Sequence, residues 1–245
     1  MQNPMRAVSR VFWVQVLAVA VAIAVSAGCS PFAQEKRQYS SSILEYLFPD
    51  DTKPSFDQPP PPLEPPLNIG IAFVPESGQI AFDEKLKMDL IQTLAAEFEQ
   101  HDFVGSLELI PTSHLKPKGG FTNLDQISAL YGINVIVLLD YDQVQHTAEG
   151  VSTYLYWTWV GSYTVKGEKN DTNTMIDSAM LDIASRKKIL HLHGTSHIKG
   201  TSTLVNLSEQ LRNDSVEGFK DAGADLMEKF RNELPTLQKK IGEAH

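Results

Sequence analysis

Cysteine is almost missing from this chain: Cys29 is the only one in 245 residues. A single cysteine excludes an internal disulfide. Positive charge is also scarce. Arg6 and Arg10 are the only charged side chains before Cys29, and the remainder sets 19 basic against 30 acidic residues. That balance argues against a general nucleic-acid binder, which needs a basic surface to displace counterions. No G-x-S-x-G elbow and no Ser-His-Asp order appears. Gly119-Gly120 lacks both the G-x-G-x-x-G spacing and an adjoining Lys-Ser/Thr motif, so it is not a phosphate cradle. No internal repeat signals a solenoid. The longest N-terminal apolar run, Val11 to Val25, is interrupted only by Gln15 and is short of the roughly 20 residues a spanning helix needs.

What is present at the N-terminus is an address. A short positive region (Arg6, Arg10) precedes the apolar run, and the small residues Ser26, Ala27 and Gly28 lead into Cys29. This is the layout of a secretory signal peptide over residues 1–28. "VSAGC" resembles a bacterial lipobox, with Ser26 where Leu is commoner. The resemblance implies cleavage between Gly28 and Cys29, diacylglycerol on the thiol and a further palmitate-type acyl chain on the new amine. One chain anchors marginally, whereas two or three hold a soluble domain on a membrane. Ser30 is not Asp, which by similarity to Gram-negative sorting implies the outer membrane. The alternative is an uncleaved signal anchor with an inert cysteine.

Residues 29–66 read as a lipidated start and a tether. "QPPPPLEPP" packs six prolines into nine residues, and such chain is extended and semi-rigid. It serves as a stalk or as a ligand for an aromatic groove on a partner. "SSSILEYLFP" is too apolar for plain linker, and reads as a short helix docking on its own domain or on a partner.

Residues 67–241 read as one domain of α/β (α+β) class, with 242–245 as a tail. "LNIGIAFVP" is a strand. Leu86, Leu90, Ile91, Leu94, Ala95 and Phe98 recur at helical spacing behind Asp83 as N-cap. "SLELIP" is a short strand. Thr122 and Asp125 fit a capping box, and Gly132 fits a helix stop. "INVIVLLDYDQVQ" is the clearest buried strand. This β-α-β-α-β order predicts a mixed sheet with packed helices. Three further strand candidates, 151–165, 172–185 and 187–198, predict an antiparallel meander turning at "SRK". A long C-terminal helix follows from Asn206, with Pro235 ending or kinking it.

Candidate chemistry is sparse. His191, His193 and His197 share one parity, so a strand puts them on one face, where they form either a zinc site or a polar outer face. Gly194 interrupts that strand. Asp140 and Asp142, two apart at the end of the central strand, suit metal binding or acid–base work, or a turn. Tyr156, Trp157 and Trp159 fall in an aromatic-rich segment, either core on two faces or an exposed patch for a partner. No cofactor is expected.

Taken with the lipobox, "SSSILEYLFPD", "LNIGIAFVP", "KPKGGFTNLDQISALYGINVIVLLDYDQVQ" and "GTSHIKGTSTLVNLSEQLRNDS" resemble the rhombotarget lipoprotein family over about residues 29 to 232. That family is linked with rhombosortase-type rhomboid proteases, and the resemblance implies no enzymatic activity. Many such substrates end in a glycine-rich sorting tail, whereas "QKKIGEAH" has none. The element order is also similar to Tol-type N-terminal and curli-secretion lipoprotein domains, at the level of fold alone. The expectation is a membrane-anchored envelope protein, its non-catalytic domain binding a partner in the periplasm or at the cell surface. An envelope enzyme using the Asp or His set and an oligomeric secretion component are the rivals.

Overall fold

The strand begun by "VIVLL" organises everything else. Val135–Glu149 (β4) buries consecutive residues on both of its faces along its first half, the signature of a central strand. In this computed structural model, which describes residues 36–49, 64–76, 82–149, 168–202 and 206–242, β4 has neighbours on both sides. Leu67–Phe73 (β2) runs parallel to it, pairing Ile69 with Val135. Beyond β2 lies Val104–Leu109 (β3), also parallel. On the other side Glu168–Asp182 (β5) is antiparallel to β4, and Lys187–Ser202 (β6) is antiparallel to β5. The order is β3-β2-β4-β5-β6. Glu84–Phe98 (α2) links β2 to β3, and Gly120–Tyr131 (α3) links β3 to β4. The expected mixed α/β sheet, the β-α-β-α-β order and the β5–β6 hairpin at 183–186 are therefore present.

Alternation assigns each side chain of the sheet to a layer. Val135, Val137, Leu139 and Tyr141 face α2 and the long helix Leu207–Gly242 (α4). Ile136 and Leu138, with Ala179 and Leu181 of β5, face the opposite way, towards α3. Asp83 caps α2, its side chain accepting from Lys85 N–H at 2.8 Å. Gly132 ends α3 with φ +69°, a left-handed position that costs glycine nothing.

The underside of α4 changes character along its length. Phe219, Ala222, Leu226 and Phe230 pack into the apolar core, Phe230 edge-on to Phe98 at 5.8 Å. Towards its start the contact is polar and hydrogen-bonded. Gln143 Nε2 donates to Thr174 Oγ1 (2.7 Å) and to Ser215 O (3.1 Å), and Gln145 Nε2 donates to Leu211 O (2.6 Å).

Several expectations need correction. The domain begins before residue 67. Lys36–Ser40 (β1) pairs antiparallel with Asp142–His146 of β4, and Ile43–Leu47 (α1) docks with Ile43, Tyr46 and Leu47 buried. Part of the presumed tether is thus a strand of the sheet, while α1 is the short helix expected in "SSSILEYLFP", docked on its own domain. The Thr122–Asp125 capping box does not form, because α3 starts earlier, at Gly120. Asn123 does the local tying instead, accepting from Lys116 N–H at 2.7 Å. α4 runs through Pro235 to Gly242. Gly194 does not break its strand. β6 is continuous there, and a Cβ on Gly194 would sit 2.0 Å from the Ala222 carbonyl oxygen, so the glycine lets α4 approach. Residues 151–165, with Tyr156, Trp157 and Trp159, lie outside the described residues, as do Gly28 and Cys29.

Candidate functional site

On the face opposite α4, the antiparallel register lays out side chains in rows. Asp140 stands opposite Asp177, which stands opposite His193. The next row is Leu138, Ala179 and His191, and the next is Ile136, Leu181 and Lys188. The register shifts between Met180 and Leu181. That bulge lets Lys188, of opposite parity to His191, face the same way.

The helix α1 forms one wall. Ser41 bonds the backbone of Tyr141, accepting its N–H at 2.9 Å and donating its own N–H to the carbonyl at 3.0 Å. Ser42 caps α1, taking Glu45 N–H. Tyr46 O–H donates to Asn123 Oδ1 at 3.0 Å, and Phe48 packs edge-on to Phe121. Anchored at these points, α1 covers β4 but leaves β5 and β6 open. The result is a groove of about 690 Å³, within the roughly 300–1,000 Å³ of ordinary ligand sites.

The groove is polarised. At one end lie Asp140, Asp142 and Asp177. Met175, paired with Asp142, lies at this same end. In the middle lie Ala179, Leu181 and Leu47, and at the other end Arg186, Lys187 and Lys188. Asp140 is buried. Its Oδ2 accepts the Ile43 N–H at 3.0 Å, which ties the first turn of α1 to the sheet. Burial pushes its carboxyl up to about 6, with the charges of Asp177 and Asp142 adding to the rise and the Ile43 N–H opposing it. His191 Nε2 lies 2.9 Å from Asp177. Arg186 sits over the Phe121 ring at 5.3 Å.

Three of the residues singled out in the sequence, Asp140, Asp142 and His191, therefore line one cavity. His193 and His197 do not join them. The carbonyl of His193 accepts from Lys229 Nζ at 2.8 Å, and His197 bonds Asn173 further along the strands. Strand rise explains the failure of the three-imidazole site. His193 and His197 are about 13 Å apart along β6, too far for ligands that must each reach one ion at about 2 Å. Among the described residues no group of three or more His, Cys, Asp or Glu is placed to hold a metal. The sequence reading missed Asp177, Met175, Lys188 and Arg186. Apolar–polar alternation in "TMIDSAML" put Met175 and Asp177 on one face, but only the register reveals what lies opposite.

No protein-family model matches the chain, and no curated protein matches it. Among solved structures, it is similar to a neuraminyllactose-binding hemagglutinin homologue from Helicobacter pylori. The identity is 12% and the TM-score 0.38, with 77% of this chain and 98% of that one covered. It is also similar to a lipoprotein from Neisseria meningitidis, at 11% identity and TM-score 0.27, covering 62% and 96%.

Proposed function

We propose that this protein is a lipid-anchored component of the bacterial envelope whose domain binds a ligand in the groove beside α1 and catalyses nothing. The anchor is Cys29, cut free after Gly28 and acylated, with the outer membrane as destination. The resemblance to rhombotarget lipoproteins belongs to the same reading. The observation that carries the binding half is the groove itself: an apolar strip on the sheet, left open by a helix that is firmly tied down, with opposite charges at its two ends. Such convergence of apolar surface and a few placed polar groups is the usual make-up of a ligand site.

Two experiments test this reading. Cys29→Ala abolishes labelling by a palmitate analogue and releases the protein from the membrane fraction; unchanged membrane association contradicts the anchor. An environment-sensitive apolar dye binds the full chain at one site, and Met175→Glu removes that binding. Dye binding that ignores the substitution contradicts the groove.

The enzyme reading now rests on Asp140, Asp177 and His191, because a carboxyl raised to about 6 by burial stands across the strands from Asp177 and its His191 partner, an arrangement that suits proton transfer. Mass spectrometry of a ligand recovered after long incubation separates the two. An intact ligand supports binding; a chemically altered one supports catalysis.

A further inference from the structure

The proposal that follows rests on the groove as a binding site and names its ligand. Along β5, Asp177 and Leu181 are four residues apart, about 13 Å at strand rise. Asp177, flanked by Asp140 and Asp142, marks the anionic end, while Lys188, directly opposite Leu181, marks the cationic end beside Arg186 and Lys187. Between them the floor carries Ala179 and Leu181, and the helix wall carries Leu47 and Phe48. A ligand that satisfies this surface has a cation at one end, a carboxylate at the other, about 13 Å between them, and apolar groups on the way.

We propose that the groove binds a short free peptide of about four residues in extended form. Its N-terminal ammonium lies at Asp177 and Asp140, and its C-terminal carboxylate at Lys188 and Arg186. Four extended residues span about 13–14 Å, which matches the separation of the charged ends. Shorter peptides reach only one end. Longer ones place a charged terminus outside the pocket that complements it. His191, 2.9 Å from Asp177, is the β6 member of the Leu138–Ala179–His191 row, which lies between the charged ends, beside the ligand's path. The apolar middle sets a preference for aliphatic side chains at the second and third positions, where their burial is favourable.

The test is calorimetric titration of the full chain in nanodiscs with alanyl-leucyl-leucyl-alanine. Its N-acetylated, C-amidated and doubly capped forms, and leucyl-leucine, serve as the comparison arms. The free tetrapeptide binds one to one. Each single cap and the shortened peptide weaken binding at least tenfold. Asp177→Asn erases the preference for a free amine but keeps that for a free carboxylate, and Lys188→Ala does the reverse. Lys188 is exposed, so its replacement leaves the fold intact and keeps the test valid even where a groove-floor variant does not fold. Equal binding of free and doubly capped peptides overturns the zwitterion proposal while leaving a groove that binds apolar ligands. No peptide binding alongside a Met175-dependent dye site also overturns it, again sparing the broader reading. Loss of the dye site as well removes both.

Discussion

The two faces of the β4–β5–β6 arm are built from alternate residues of the same strands, yet they end up in different states. The face under α4 is sealed. Tyr141, Ile176 and Met180 are buried against Phe219, Ala222 and Leu226, and where the strands turn polar the helix supplies matched hydrogen bonds through Ser215 and the Leu211 carbonyl. The other face has the same strand spacing, and among the described residues it carries α3 packed over its Ile136–Leu181 end and α1, a helix of five residues, along one side. There the apolar rows thin out into Met175, which remains 40% exposed, and into charged ends. The contrast teaches that the openness is local. The protein covers a polar stretch on one face and leaves Met175, Arg186 and Lys188 exposed on the other. A sealed face answers to stability and an open one to contact with something else.

Substitutions break this comparison in a graded way. Phe230→Ala on the sealed face removes a fully buried ring packed edge-on to Phe98 and costs about 3–5 kcal/mol in urea unfolding.

Asp140→Asn, at the acidic end of the groove, acts in the other direction. The native carboxyl holds its proton up to about pH 6, whereas the ordinary value is 3.8. Between those values the folded state binds more protons than the unfolded one, so stability falls as pH rises through this window. The loss approaches about 2–3 kcal/mol by neutral pH. Asn keeps an acceptor for Ile43 N–H and carries no charge. The variant is therefore more stable than wild type by about that amount at pH 7 and equal to it near pH 3. Paired melts across pH measure the difference, and a gap independent of pH contradicts the account.

Gln143→Ala removes the hub of the polar layer and strands Ser215 and Thr174, for about 1–3 kcal/mol. Met175→Glu and Lys188→Ala, both on the open face, change stability by no more than about 0.5 kcal/mol while abolishing or redirecting ligand binding. A large stability loss from either would show that the open face is structural after all.

Much of the scaffold was legible because it depends on local pattern. The near-continuous apolar run from Ile133 to Leu139 could only be a strand buried on both faces. The spacing of Leu90, Ile91, Leu94 and Phe98 behind Asp83 could only be a capped amphipathic helix. The left-handed stop at Gly132 needed only its glycine. What was not legible depends on partners distant in sequence. "KRQYS" has no strand-like alternation of apolar residues; it is a strand because the far half of β4 lacks a neighbour there and Ser41 ties it down. Lys87 is buried between Glu76 and Glu84, over Phe73, a placement that its neighbours in sequence do not announce. Pro235 reads as an end or a kink, and Leu234, Leu237 and Ile241 still have core to pack against, so the helix does not end there.

The groove was the least legible part. Asp140 and His191 stood out as single residues, but their common site requires knowing that Asp140 faces Asp177 and that His191 reaches Asp177. Lys188 is the plainest case. Counting parity back from His191 puts it on the sealed face, and only the bulge at Met180/Leu181 returns it to the open one. The histidine pattern failed for the opposite reason: shared parity was read correctly, but a straight strand spreads its residues instead of gathering them.

The most direct test of the central claim is hydrogen exchange of the full chain in nanodiscs, with and without saturating alanyl-leucyl-leucyl-alanine. The account predicts slowed exchange confined to α1 and to residues 175–188, with no change along α4. Protection along α4 or β3, or none anywhere at saturation, would contradict it.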